Sequence, residues 1–205
     1  MIPVKKTLII YVISVILTLA LASCSGGAVK LKNDGSTGNL IDKENGLYYV
    51  YCLGYLRAAE IVPRVYAVGD QGEKLYALPD ADPAEWLSEN IATMGVPFLF
   101  REQNVEEPAL ESFETETIYV TMSEEITLTI NRIKDKDLIS VIVGDFLYGD
   151  AVPLPEYVTD SLTLNFESEK YRGIYYILEY IADHQGKYYL YDRWTGRCVL
   201  CSTVF

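Results

Sequence analysis

The sequence predicts an α+β fold, an antiparallel sheet with a C-terminal four-strand meander and one long helix packed on it. Three observations carry the prediction. Apolar residues recur at helical spacing through Leu138, Ile139, Ile142, Val143, Phe146 and Leu147, between Asp135 as N-cap and Gly149 as the residue after the last turn. After Pro153-Leu154-Pro155 come four strand-like runs, 161–168, 173–182, 187–192 and 197–204, joined by short turns. Asp183-His184-Gln185-Gly186 and Arg193-Trp194-Thr195-Gly196 each supply glycine where a hairpin turn wants a positive φ. Ahead of the helix, Ile118, Val120 and Met122, then Ile126, Leu128 and Ile130, alternate with polar residues, which is the period of half-buried antiparallel strands.

Taken in order, the chain opens with Lys5 and Lys6, an apolar run and then small residues before Cys24, the pattern of an export signal. The apolar stretch 7–22 is 16 residues long, short of the roughly 20 that span a bilayer as a helix. Leu21-Ala22-Ser23-Cys24 resembles the lipobox of bacterial lipoproteins. That resemblance implies that residues 1–23 are a cleaved signal peptide, that Cys24 carries a thioether-linked diacylglycerol and fatty acyl (palmitate) chains, and that the protein is extracytoplasmic, anchored to the bacterial cell membrane. Two or more acyl chains hold a protein stably where one does so only marginally.

Residues 24–45 read as the lipidated cysteine and a flexible tether, from their Gly, Asn, Asp and Ser content. The remaining 46–205 form a single domain in which 46–110 make a smaller strand-rich sublayer. Within it, 46–53 is rich in aromatic and β-branched residues and reads as strand, and 64–68 with 73–78 as a hairpin about Asp70-Gln71-Gly72. Asp82-Pro83-Ala84-Glu85-Trp86-Leu87 has the N-cap, first-turn proline and following Glu of a short helix start, burying Trp86 and Leu87. A strand at 96–100 and a helical turn at 106–111 complete this part. Gly144 inside the long helix marks close approach to a strand. Residues 173–182 are apolar on both faces, so that strand is central, with the helix covering one side.

The helix and meander resemble cystatin-like and inhibitor-type folds. Asp82-Pro83-Ala84-Glu85-Trp86-Leu87 and the ending from Gly173-Ile174-Tyr175-Tyr176 to Arg197-Cys198-Val199 are similar to small lipoproteins of Gram-positive bacteria. Neither resemblance brings an activity with it.

A formal net charge of −12, without clustered Lys or Arg, argues against nucleic acid as a partner. The single histidine, His184, sits in a hairpin turn, a poor place for an oriented catalytic base. Cys198-Val199-Leu200-Cys201 has redox spacing but strand-like flanks, whereas such thiols are activated at helix N-termini. Cys52, Cys198 and Cys201 are an odd set in an oxidising compartment, so at most one bridge forms among them. The acidic pairs read as solvated surface, and phosphate loops and metal-ligand spacings are missing from the sequence. No cofactor or metal and no catalysis are expected.

What remains is tyrosine: all but one of the 17 lie after the leader. The expected role is a non-catalytic binding or interaction module that meets the membrane through its lipid and a protein or glycan through Tyr189, Tyr191 and Trp194 near the last hairpin. The alternatives are a cell-envelope hydrolase using paired carboxylates and a small substrate-binding lipoprotein of a transporter.

Lipidation has a direct readout. Metabolic labelling with a clickable fatty acid should mark the wild-type protein and leave Cys24→Ala unlabelled; label on the mutant refutes the lipobox reading.

Overall fold

The computed structural model describes residues 28–35, 37–52, 54–91, 96–123 and 127–203. The leader and Cys24 lie outside the described residues. The elements are β1 (Val29–Lys30), β2 (Lys32–Asn33), β3 (Leu40–Asp42), β4 (Leu47–Tyr51), β5 (Leu56–Ala58), β6 (Val65–Val68), β7 (Lys74–Ala77), β8 (Trp86–Ile91) and β9 (Val96–Glu102). A 3-10 turn at Leu110–Ser112 leads to β10 (Thr117–Ser123), β11 (Thr127–Ile133), α1 (Lys136–Tyr148), β12 (Val158–Glu167), β13 (Ile174–Asp183), β14 (Tyr188–Tyr191) and β15 (Cys198–Leu200).

The α+β expectation is overturned, because the protein is mostly β with two large sheets and, among the described residues, one α-helix. The first sheet has eight strands in the order β1-β6-β7-β8-β9-β4-β3-β2 and is mixed, since β1 runs parallel to β6. The second has seven, β11-β10-β12-β13-β14-β15, with β5 added beside β13. The last four strands are thus no free-standing meander but part of a sheet that reaches back to β10, β11 and β5. The segment expected to be a minor sublayer builds the larger sheet.

Three local differences have physical causes. In the stretch read as a flexible tether, Leu31 and Leu40 are buried and residues 29–42 pair as β1, β2 and β3. Asp82 does accept from the Ala84 N–H at 2.9 Å, but the turn it closes leads straight into β8, where Leu87 pairs with Ala77 and Phe100. Sheet pairing overrides the helix start signal. In β11, Leu128 and Ile130 are about half exposed, because this strand is the sheet's outer edge; Ile126 lies outside the described residues.

The main core lies between α1 and one face of the seven-stranded sheet. Ile139, Ile142 and Phe146 of the helix pack with Ile118, Val120, Leu164, Phe166, Ile174, Tyr176 and Leu178, and Leu78, Trp86 and Leu99 join from the first sheet. A second core of Leu31, Leu40, Tyr49, Ala67, Leu75, Leu87 and Phe100 fills the far side of the eight-stranded sheet's strands. A Cβ on Gly144 would meet nothing within 4 Å, so no close strand explains that glycine.

The helix ends are held differently. At the N-terminus Asp135 accepts from the Asp137 and Leu138 N–H groups at 2.9 and 3.2 Å. At the C-terminus Gly149 follows the last turn, as expected, with extended backbone at φ −66°. Its missing side chain makes room, since a Cβ would lie 2.4 Å from the Asp145 carbonyl oxygen. The capping group is Arg197, whose Nε donates to the Phe146 carbonyl at 3.0 Å and whose Nη2 donates to those of Leu147 and Gly149 at 3.4 and 2.8 Å. The guanidinium also lies 5.7 Å from the Phe146 ring centre. A cation meets the negative end of the helix dipole there and satisfies carbonyls that the helix cannot.

Arg197→Met keeps the aliphatic stem and removes these bonds. Chemical denaturation should show a loss of about 2 kcal/mol, the scale of hydrogen bonds to a charged group; a loss below about 0.5 kcal/mol, the level of ordinary surface substitutions, would mean that water caps the helix equally well.

Candidate functional site

α1 covers one face of the seven-stranded sheet; the other carries a different set of side chains. Cross-strand partners in an antiparallel sheet point to the same side, so the register gives the rows of this second face. One row runs Tyr189, Ile181, Ser161; the next Tyr191, Glu179, Thr163, Thr121, Thr129. A third runs Ile177, Asn165, Tyr119, and a fourth Arg57, Tyr175, Glu167, Thr117. Hydroxyls, phenols, an amide and an arginine thus alternate with the core residues of the same strands.

Arg57, Ala59, Tyr119, Thr121, Thr129, Thr163, Asn165 and Tyr175 line a recess of about 460 Å³ on this face. Its floor is rigid. Asn165 is buried, and its Nδ2 donates to Thr121 Oγ1 at 3.0 Å and to the Tyr119 carbonyl at 3.2 Å, locking neighbouring strands together. Tyr119 and Tyr175 form one wall, with ring centres 5.8 Å apart, and Arg132 lies over the Tyr119 ring at 4.9 Å. The Tyr119 hydroxyl donates to Glu167 at 3.1 Å. Burial, then the Glu167 charge, pushes the Tyr175 phenol up to about 12, so it stays a neutral donor and acceptor at ordinary pH.

Arg57 comes from β5. Its neighbours Leu56 and Ala58 are buried in the main core, so strand alternation turns Arg57 to the recess side. Its Nε is buried and has no hydrogen-bond partner. Burial, and next the charge of Arg193, lower its pKa from the usual arginine value. Glu179 acts on it favourably across the face, but its carboxylate is paired to Arg193 at 2.6 Å.

Of the residues expected to bind, Trp194 is 52% exposed at the tip of the β14–β15 turn. Its indole lies against Gly54, where a Cβ would sit 2.0 Å from Trp194 Cζ2. Tyr191 is half-buried in the Glu179 row, and Tyr189 is tied by a 2.8 Å hydroxyl bond to Asp183. The tyrosines flank the recess side of the sheet but do not line the recess; of the residues that do, the sequence marks only the polar ones that alternate with Leu128 and Ile130. That alternation was the available signal, because joining strands into one face needs the register.

The chemistry elsewhere is sparse. His184 is exposed in its turn, against the Tyr157 ring edge. Among the described residues no three His, Cys, Asp or Glu side chains gather as a metal ligand set. Cys52, Cys198 and Cys201 are free thiols, with Cys52 and Cys198 buried. The bridge allowed by the sequence is not formed. Burial pushes Cys52 up to about 12, Cys201 to about 11, and raises Cys198 as well.

These thiols make a pH prediction. Their folded pKa values lie above the ordinary value near 9, so their contribution to stability is complete below about pH 9 and is lost as the pH rises toward 11–12, where the unfolded chain sheds protons that the folded one keeps. Iodoacetamide at pH 8 should modify the folded protein slowly and all three thiols after unfolding without reductant. An intact mass showing one modified thiol after unfolding would establish a bridge.

No protein-family model matches the chain, and no curated protein or solved structure matches it.

Proposed function

We propose that the protein is a lipid-anchored binding module of the extracytoplasmic face of the bacterial cell membrane, which holds a polar envelope ligand, of glycan class, on the face of the seven-stranded sheet opposite α1. The observation that carries this reading is the recess, about 460 Å³, walled by Tyr119 and Tyr175 and floored by Thr121, Thr163 and Asn165. Threonine hydroxyls both donate and accept, the amide fixes direction, and aromatic rings offer stiff apolar surface. That combination suits a ligand rich in hydroxyls. The volume lies in the range of small-molecule sites. Placement outside the cell rests on Leu21-Ala22-Ser23-Cys24.

The reading is one of binding rather than catalysis. The two acids that share the face, Glu167 and Glu179, already accept bonds from Tyr119 and Arg193. The lone histidine, His184, sits beyond the end of β13 in an exposed turn against Tyr157, not on this face.

The test uses the intact protein in detergent, immobilised and challenged with isolated envelope polysaccharide. Wild type should retain it, and the double variant Tyr175→Ala, Thr163→Val should weaken retention about tenfold or more, the equivalent of about 1.4 kcal/mol. Trp194→Ala reports whether the turn tip extends the site. Unchanged retention by a folded double variant refutes the site, and hydrolysis of the polymer by wild type refutes the non-catalytic reading.

A further inference from the structure

We infer that Arg57 is the anchor for the carboxylate of an acidic sugar, bound with its ring in the recess beside Tyr175. This inference rests on the binding reading above and adds the charge and class of the ligand. Four observations lead to it. Arg57 is placed by the backbone rather than by chance, because β5 pairs with β13 through Leu56, Arg57 and Ala58, and the outer two residues are core. Its Nε–H is buried and unpartnered, and no ion pair or hydrogen bond engages its guanidinium among the described residues. Of the acids on its face, Glu179 is ion-paired to Arg193 at 2.6 Å and Glu167 accepts from the Tyr119 hydroxyl at 3.1 Å, and neither bonds to Arg57. And Arg57 lines the same recess as Thr121, Thr129, Thr163, Asn165 and Tyr175.

A buried N–H without a partner is a standing cost that native structures rarely carry without a reason. The guanidinium fork fits a carboxylate with two parallel bonds, which strengthen as water leaves. The hydroxyls around it fit a polyhydroxylated ring and not a bare anion. The charge balance sets the class further. On this face the guanidiniums of Arg57, Arg132 and Arg193 stand against the carboxylates of Glu167 and Glu179, an excess of one positive charge. A single negative charge is compensated there; a phosphate dianion would be left with uncompensated charge beside Glu167 and Glu179. Sugars bearing one carboxylate meet both demands.

Calorimetric titration of the intact protein in detergent with glucuronate, glucose and glucose 6-phosphate separates the possibilities. Glucuronate should bind at least about tenfold tighter than glucose and tighter than glucose 6-phosphate, with an affinity that falls as salt is raised. Arg57→Gln should bring glucuronate down to the level at which wild type binds glucose, while Arg57→Lys, which keeps the charge but not the fork, should recover part of the difference. Equal binding of glucuronate and glucose to wild type overturns the carboxylate assignment and leaves the glycan-binding reading standing. Preference for glucose 6-phosphate also overturns it. Binding of none of the three, with polysaccharide retention intact, places the ligand elsewhere and overturns the inference alone; loss of both defeats the two readings together. The wild-type comparison needs no variant, so a poorly folding Arg57→Gln does not blunt the test.

Discussion

A β-strand has two hydrogen-bonding edges, and β13 divides one of them between distant parts of the chain. Along its first edge it pairs with β12 from Glu167↔Tyr175 to Val158↔Asp183. On the second, Glu179 to Ala182 pair with β14, whereas Ile174 to Tyr176 pair with β5, and the Ile177 N–H between them donates to the Tyr55 carbonyl at 2.8 Å. Without β5 the first half of this edge would expose unpaired backbone in the middle of a mostly buried strand. Closing it ties the two sheets together, since β5 continues from β4, and the Cys52 N–H between them donates to the Leu99 carbonyl of β9. The main core can then draw Leu78, Trp86 and Leu99 from one sheet and Leu164, Phe166 and Leu178 from the other.

The reversals β2–β3, β3–β4 and β14–β15 repeat one turn device. Asp42 accepts from the Glu44 and Asn45 N–H groups and the Asn45 amide; Asp192 accepts from the Trp194 and Thr195 N–H groups and the Thr195 hydroxyl. Asp34 binds the Thr37 N–H and hydroxyl in the same way. Gly38, Gly46 and Gly196, each one residue later, have φ between 69° and 76°. The spacing is Asp, two residues, Asn or Thr, then Gly. Asp42 and Asp192 are almost wholly buried, yet their oxygens are satisfied within the turn, so burying them carries little penalty. The last of these turns delivers Arg197 to the end of α1, and the Ser202 N–H and hydroxyl then meet Asp145 at 2.7 Å. The helix is thus fastened to the final strand by polar contacts at its end as well as by its apolar stripe.

Much of the seven-stranded sheet was legible because its signals are local. The two-residue alternation around Leu164, the doubly apolar run at Ile174–Asp183 and the Asp135 cap of α1 each report their own surroundings. The fold class was not legible, because it depends on pairings between residues far apart in sequence. Leu31 and Leu40 are isolated apolar residues among Gly, Asn and Ser, and only pairing with β6 and β4 makes strands of their neighbours. Asp82-Pro83 carries a true turn signal, but whether a helix or a strand follows is decided by β7 and β9 on either side of β8. The repeated Asp-turn spacing could have been read from the sequence and would have marked the chain as hairpin-rich. Arg57 could not, because a lone arginine in a three-residue strand has no periodicity.

The candidate site and the joint between the sheets have the same origin. A 13-residue helix covers one face of a seven-stranded sheet; the other face is lined by Thr121, Thr163, Asn165 and the tyrosines, with Ile177 and Ile181 buried among them. Such a face needs no cavity of its own; it becomes a recess where β5 adds an extra strand beside β13 and lifts Ala59 and Arg57 along its rim. Because alternate residues of one short strand serve opposite faces, Leu56 and Ala58 anchor β5 in the core by the same geometry that turns Arg57 toward the threonines. A slip of one residue in this pairing would bury the guanidinium in the core and expose Leu56. The apolar contacts that join the sheets therefore also hold the charge in place at the recess, and they do so without any hydrogen bond to the guanidinium among the described residues.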